Sequence, residues 1–98
     1  KGGNEERICI TLKDLSEKRT FDLQVNTDQK IKNTLQILQE AGMVSKDVSA
    51  ATHVYSERQK QQINTGISYE QAQIYQGDII SCWHGSLPIQ KGAGMQNE

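Results

Sequence analysis

The sequence is short of the groups from which catalytic and metal sites are assembled. Among 98 residues it has two histidines, two cysteines, one tryptophan, one phenylalanine and one proline. Cys9 and Cys82 lie far apart, each within an apolar run and without CxxC spacing, so no metal site is expected and both read as small buried thiols rather than as ligands or a disulfide. A reducing, cytoplasmic compartment is the setting this implies. Excess charge of one sign is also lacking: 11 Lys and Arg against 12 Asp and Glu leave a formal net charge of -1, without the positive field on which nucleic-acid binding rests. No apolar run approaches the roughly 20 residues that span a bilayer. The start, Lys1-Gly2-Gly3-Asn4-Glu5-Glu6, has no apolar stretch of an export signal and no initiator Met, as in a segment excised from something longer. These absences set aside nucleic acid, direct membrane insertion and any recognisable cofactor.

What is present is a set of ordered apolar clusters within a low hydrophobic share of 35%, enough for one domain. From Arg7 to Lys13, Ile8, Ile10 and Leu12 alternate with Cys9, Thr11 and Lys13, the period of a half-buried strand. A polar turn over 14–18 leads to a second alternation, Phe21, Leu23 and Val25 against Thr20, Asp22 and Gln24, and the two runs read as a hairpin. Asn26, Thr27 and Asp28 offer N-cap oxygens to an amphipathic helix whose apolar stripe is Ile31, Thr34, Leu35 and Leu38. Gly42 is expected just beyond it, with Met43 and Val44 folding back on its last turn.

After a polar connector, Thr52–Tyr55 and Gln62–Asn64 are expected as two short strands joined by a charged turn over 57–60. The stretch 66–75 is expected as a helical turn or ordered loop that lays apolar side chains on the core. Gly77-Asp78 marks a turn directly before a covered strand, Ile79-Ile80-Ser81-Cys82-Trp83. Residues 1–6 and 85–98 are expected to be disordered or flexible, leaving one domain over 7–84. The efficient burial of these few apolar faces is an α+β arrangement, a mixed four- to five-stranded sheet packed on one main helix. Its first and last strands lie parallel at the centre, with Ile8, Ile10, Leu12, Ile80 and Cys82 facing Ile31, Leu35 and Leu38.

The segments ICITLKDL and KRTFDLQV, the helix DQKIKNTLQILQEAGM behind them, and ISYEQAQIYQGDII at the end together resemble the ubiquitin-like β-grasp superfamily over about Arg7 to Trp83. Within it, the pattern looks most like the small YukD-type proteins of bacterial type VII (ESX-type) secretion. The resemblance implies a β-grasp fold and a partner docked on the sheet face, with a membrane-embedded secretion component as a candidate. Conjugation of ubiquitin relatives requires a terminal Gly-Gly carboxylate. Here Gly92-Ala93-Gly94 is followed by four residues, so neither a conjugated modifier nor a sulfur carrier is expected; these remain alternatives, as does a β-grasp domain excised from a larger enzyme or membrane protein.

Catalysis is not expected. Cys82 and His84 share a strand face, but two residues along a strand stand ~6.5–7 Å apart, Cys82 is expected to point inward, and no acid orients the imidazole. Asp14 and Glu17 read as a solvated turn. Lys18, Arg19, Lys30 and Lys32 could form a small basic spot. The stronger expectation is a protein-binding face: with Ile80 and Cys82 inward, Ile79 and Trp83 lie outward, and Val54 inward places His53 and Tyr55 outward beside them. An uncovered Trp is an interface anchor, unless Leu87 and Ile89 of the tail cover it.

Overall fold

A computed structural model describes residues 6–84. The elements are β1 (Arg7–Asp14), β2 (Arg19–Asn26), α1 (Ile31–Glu40), α2 (Lys46–Ser49), β3 (His53–Ser56), β4 (Gln61–Asn64) and β5 (Ile79–Cys82). The expected alternation in β1 and β2 is met by antiparallel pairing that sets Ile8 opposite Val25, Ile10 opposite Leu23 and Leu12 opposite Phe21. One face of the hairpin is therefore continuously apolar. The five strands run in the order β2-β1-β5-β3-β4. β5 is parallel to β1, with Leu12 level with Ile80, and antiparallel to β3. The fold is α+β, a mixed sheet with α1 as its main helix.

The core sits between the apolar face of the sheet and α1. Ile8, Ile10, Leu12, Ile80 and Cys82 are all buried together with Ile31, Leu35 and Leu38, the set that the two periodicities pick out. Helix α1 ends as expected: Gly42 adopts φ +78, its N–H donates to Gln39 O, and Met43 N–H donates to Leu38 O at 2.8 Å. Glycine takes this left-handed conformation without a Cβ clash. Met43 and Val44 then pack on the core.

The helix start differs from the sequence reading. None of Asn26, Thr27 or Asp28 caps it; the cap residue is Lys30, which makes no side-chain cap bond. Instead Ile31 N–H donates to Ile67 O at 3.1 Å and Lys32 N–H to Thr65 O at 2.9 Å. Carbonyls from a distant loop satisfy the free amides of the first turn, which need a partner of any origin. The polar connector also holds a helical turn, α2, where the Ser45 hydroxyl accepts from Val48 N–H and Val48 is buried. The loop after β4 delivers Tyr69, Ala72 and Ile74 to the core, and the Tyr69 hydroxyl donates to Thr34 Oγ1 on α1 at 2.9 Å. The ends expected to be flexible, 1–6 and 85–98, lie outside the described residues except for Glu6.

Two substitutions separate packing from hydrogen bonding in this core. Leu35→Ala is expected to lower stability by about 2–5 kcal/mol, through lost transfer energy and the cavity left behind. Tyr69→Phe is expected to cost about 1 kcal/mol, because Thr34 loses the donor to its buried hydroxyl. Urea unfolding midpoints at unchanged slope measure both.

Candidate functional site

Helix α1 covers one face of the sheet, and strand alternation turns the remaining side chains to the other. The cross-strand register aligns Thr20, Lys13, Ser81, Tyr55 and Gln62 in one row across all five strands. Thr11, paired with both Asp22 and Ile79, begins the next row, and His53 pairs with Asn64. The expected outward residues His53, Tyr55 and Ile79 thus share this face, and each is half-buried. His53 Nδ1 stands 3.0 Å from Thr52 Oγ1.

The middle of the face is closed by polar groups. Ser81 is fully buried, its hydroxyl donates to Glu57 Oε2 at 3.2 Å, and the same oxygen lies 3.6 Å from Lys13 Nζ. An exposed pair of this kind contributes little to stability. It does place a positive and a negative group beside Tyr55 and Ile79. Neither Lys13 nor Glu57 was singled out from the sequence, although the outward parity of Lys13 marks it for this face.

Trp83 departs from expectation. It was expected uncovered, but only 6% of it is exposed. The chain past β5 is held against the turn after β1: Leu15 N–H donates to Cys82 O at 2.8 Å and His84 N–H to Ser16 Oγ at 3.0 Å. Burial of its large apolar surface is the favoured outcome, so the indole is not a free anchor. The residues expected as its lid, Leu87 and Ile89, lie outside the described ones.

The positions of Tyr55 and Ile79 depend on a buried node around Asp78. Ser56 Oγ donates to Asp78 Oδ2 at 3.0 Å, while Arg58 N–H and Ile79 N–H donate to Oδ1 at 3.3 and 2.8 Å. Arg58 Nε is 3.6 Å from the same carboxylate. The node ties the β3–β4 turn to the first residue of β5, and Glu57 N–H adds a bond to Ile79 O at 2.9 Å. Buried carboxylates are tolerated where their lone pairs are filled in this way. The Arg58 guanidinium also lies 4.7 Å from the centroid of the Tyr75 ring, a cation–π contact. Among the described residues, Tyr75 and Ile37, at 55% and 57% exposure, are the large exposed hydrophobic ones, and neither stands out in the sequence.

Three further expectations are corrected. Cys9 is an exposed thiol, not a buried one, because Ile8 and Ile10 take the inward positions on either side of it. Asp14 is fully buried instead of solvated; its Oδ1 accepts from Ser16 and Glu17 N–H and shapes the turn, while Oδ2 has no partner among the described residues. The four cations do not form one spot. Arg19 Nη1 donates to Met43 O beyond the end of α1, whereas Lys30 and Lys32 are at its start. Cys82 is inward as expected, and burial, aided by the Asp14 carboxylate, pushes its thiol up to about 12. His84 is exposed, so the two differ in environment as well as position.

The two cysteines should therefore react differently. A thiol reagent is expected to label Cys9 in the folded protein and Cys82 only on unfolding. Burial likewise pushes Tyr69 up to about 12 from 10.0, while Cys82 rises to the same value from 9.0. Both hold their protons more tightly when folded, so this contribution is full below about pH 9 and is lost as pH rises through about 12. Unfolding free energy should fall over that window, and the fall should be shallower in Cys82→Ala.

No family model matches the sequence, and no curated protein matches it. The fold is similar to that of solved ubiquitin-like proteins. A designed protein based on ubiquitin shares 18% identity at a TM-score of 0.63, over 93% of this chain and 96% of the other. The C-terminal ubiquitin-like domain of mouse tubulin-specific chaperone e shares 12% at 0.64, over 88% and 94%. The ubiquitin of Caldiarchaeum subterraneum shares 10% at 0.62, over 85% and 99%. At these identities the likeness concerns the fold alone, and that fold is the ubiquitin-like β-grasp.

Proposed function

We propose that this chain is a non-catalytic, non-conjugated ubiquitin-like module that docks a protein partner on the outward face of its sheet. Tyr55, His53 and Ile79 supply the contact. The observation that carries this reading is the convergence of half-buried aromatic and aliphatic side chains from β3 and β5 on the face opposite α1. Such a surface needs no rearrangement before contact, because its strands are hydrogen-bonded and the Asp78 node fixes their ends. Pre-formed surfaces lose little freedom on association. Lys13 and Glu57 would contribute charge selectivity more than affinity. We further read the module as a cytoplasmic accessory or regulator of a bacterial type VII secretion apparatus, with a membrane-embedded component as partner. The support for that role is the likeness of ICITLKDL, FDLQV and IYQGDII to YukD-type proteins.

Capture from a native lysate with the wild type, Tyr55→Ala and Ile79→Ser tests the docking face. Each variant is first checked for an intact amide spectrum. The expected result is a specific partner whose affinity falls about tenfold or more in Tyr55→Ala. Identical partner lists for all three baits, or none from any, contradict the reading. Trp83→Ala is unsuited to this test, since removing a buried indole is expected to cost about 3–5 kcal/mol of stability. Incubation with ATP and the same lysate should leave the intact mass unchanged; an adenylate, thiocarboxylate or isopeptide adduct would show covalent use instead.

A further inference from the structure

Strand β2 forms one edge of the sheet, and no described strand lies beyond it. The hydrogen bonds of β1 show which main-chain groups of β2 point to the open side. Thr11 N–H donates to Asp78 O at 3.0 Å and Cys9 O accepts from Gly77 N–H at 2.8 Å, so the odd-numbered residues of β1 are turned to β5. Its even-numbered residues therefore bond β2 through Arg19, Phe21, Leu23 and Val25, which leaves the N–H and C=O groups of Thr20, Asp22 and Gln24 directed at the open edge. Beneath this edge the apolar side chains are incompletely covered. Phe21 and Leu23 are half-buried against the core, as is Met43 past the end of α1, and the Arg19 guanidinium bonds Met43 O. Helix α1 adds Ile37, exposed on its surface. The buried stripe separates Ile37 from Lys32, which shares a cleft with Ala51 and Thr65, so Ile37 lies on the opposite flank, toward β2.

The chain leaves the described residues at this same corner. His84 N–H donates to Ser16 Oγ in the turn that leads into β2, and the sequence continues Gly85-Ser86-Leu87-Pro88-Ile89-Gln90. We propose that this segment closes the edge as a sixth strand parallel to β2, with Leu87 beside Phe21 and Ile89 beside Leu23. Three extended steps of about 3.3 Å carry the chain from His84 to Leu87, as far as two strand spacings of about 4.8 Å. Alternation then turns Leu87 and Ile89 to one side, over the apolar strip of Phe21, Leu23 and Ile37. The position of Pro88 fixes the direction. In β2 the inward residues turn their main-chain groups to β1, and a strand running the same way turns those of its own inward residues to β2. Leu87 and Ile89 thus bond the open groups of Thr20, Asp22 and Gln24, while Pro88, which has no N–H, faces solvent, the side on which an edge strand tolerates it. In an antiparallel strand with the same side chains inward, Pro88 would face β2 and a bond would be lost. The apolar residues of the tail are then committed to this edge and not to Trp83, which is already buried. An open edge recruits other chains; here the molecule covers its own.

Amide hydrogen exchange of the full chain tests the proposal, read at Asp22 and Gln24, whose N–H groups the added strand bonds. Both are expected to exchange at least about tenfold more slowly than in the Leu87→Ser/Ile89→Ser variant, with Phe21, Leu23 and Val25 alike in the two proteins. Ile89→Pro is expected to lose the protection and Pro88→Ala to keep it, a difference that collapse of the tail without strand pairing does not produce. Every substitution lies outside the described core, so the fold against which exchange is read stays the same. Equal exchange at Asp22 and Gln24 in the wild type and the double variant, or protection that survives Ile89→Pro, would overturn it. Protection that rises with protein concentration would also overturn it, by assigning the edge to a second copy of the chain.

Discussion

The parallel pairing of β1 and β5 is the constraint on which the rest depends. These strands are separated by most of the chain, and parallel neighbours require a long crossover between them. Here the crossover contains β2, α1, α2, β3, β4 and the loop that carries Tyr69 and Ile74. Once Leu12 stands level with Ile80, the stripe of α1 has a single apolar surface to cover. The same register sends Thr11, Lys13, Ile79 and Ser81 outward. Core and outward face are two sides of one alignment, and a slip of one residue would exchange them.

Polar groups then fix the ends of the elements that this pairing brings together. Asp78 joins Ser56, Arg58 and the start of β5, so the orientation of β3 follows that of β5. Tyr69 and Thr34 join the last loop to α1, and the carbonyls of Thr65 and Ile67 complete the first turn of the helix. In a domain this small the hydrophobic contribution is limited, and an unpaired buried polar group would remove a large part of it. Among the described residues Asp14 Oδ2 is the exception without a partner; its sister oxygen is committed to two amides of the turn.

Much of the architecture was legible because it rests on local repetition. Alternation over Arg7–Lys13 marks β1, the stripe from Ile31 to Leu38 marks α1, and Gly42 and Gly77-Asp78 mark where chain direction changes. The membership of His53, Tyr55 and Ile79 in one outward face was legible from the same parity. Exposure on that face was not. Trp83 is covered where the chain is held against the β1–β2 turn by bonds to Cys82 and His84, and those bonds are non-local. The start of α1 misled for a similar reason: Asn26, Thr27 and Asp28 are good capping residues, yet carbonyls some 35 residues away, at Thr65 and Ile67, serve instead. Asp14 has the composition of a solvated turn, yet it shares the inward parity of Ile8, Ile10 and Leu12; its polar side chain masked a signal that the alternation already carried.

The most direct test of the central alignment is a set of interstrand nuclear Overhauser contacts between β1 and β5. The account predicts parallel-ladder contacts that place Thr11 beside Ile79 and Lys13 beside Ser81, with Tyr55 on the other flank of Ser81. Contacts of an antiparallel pattern, or a register displaced by one residue that brings Ile79 and Ser81 under α1, would contradict it.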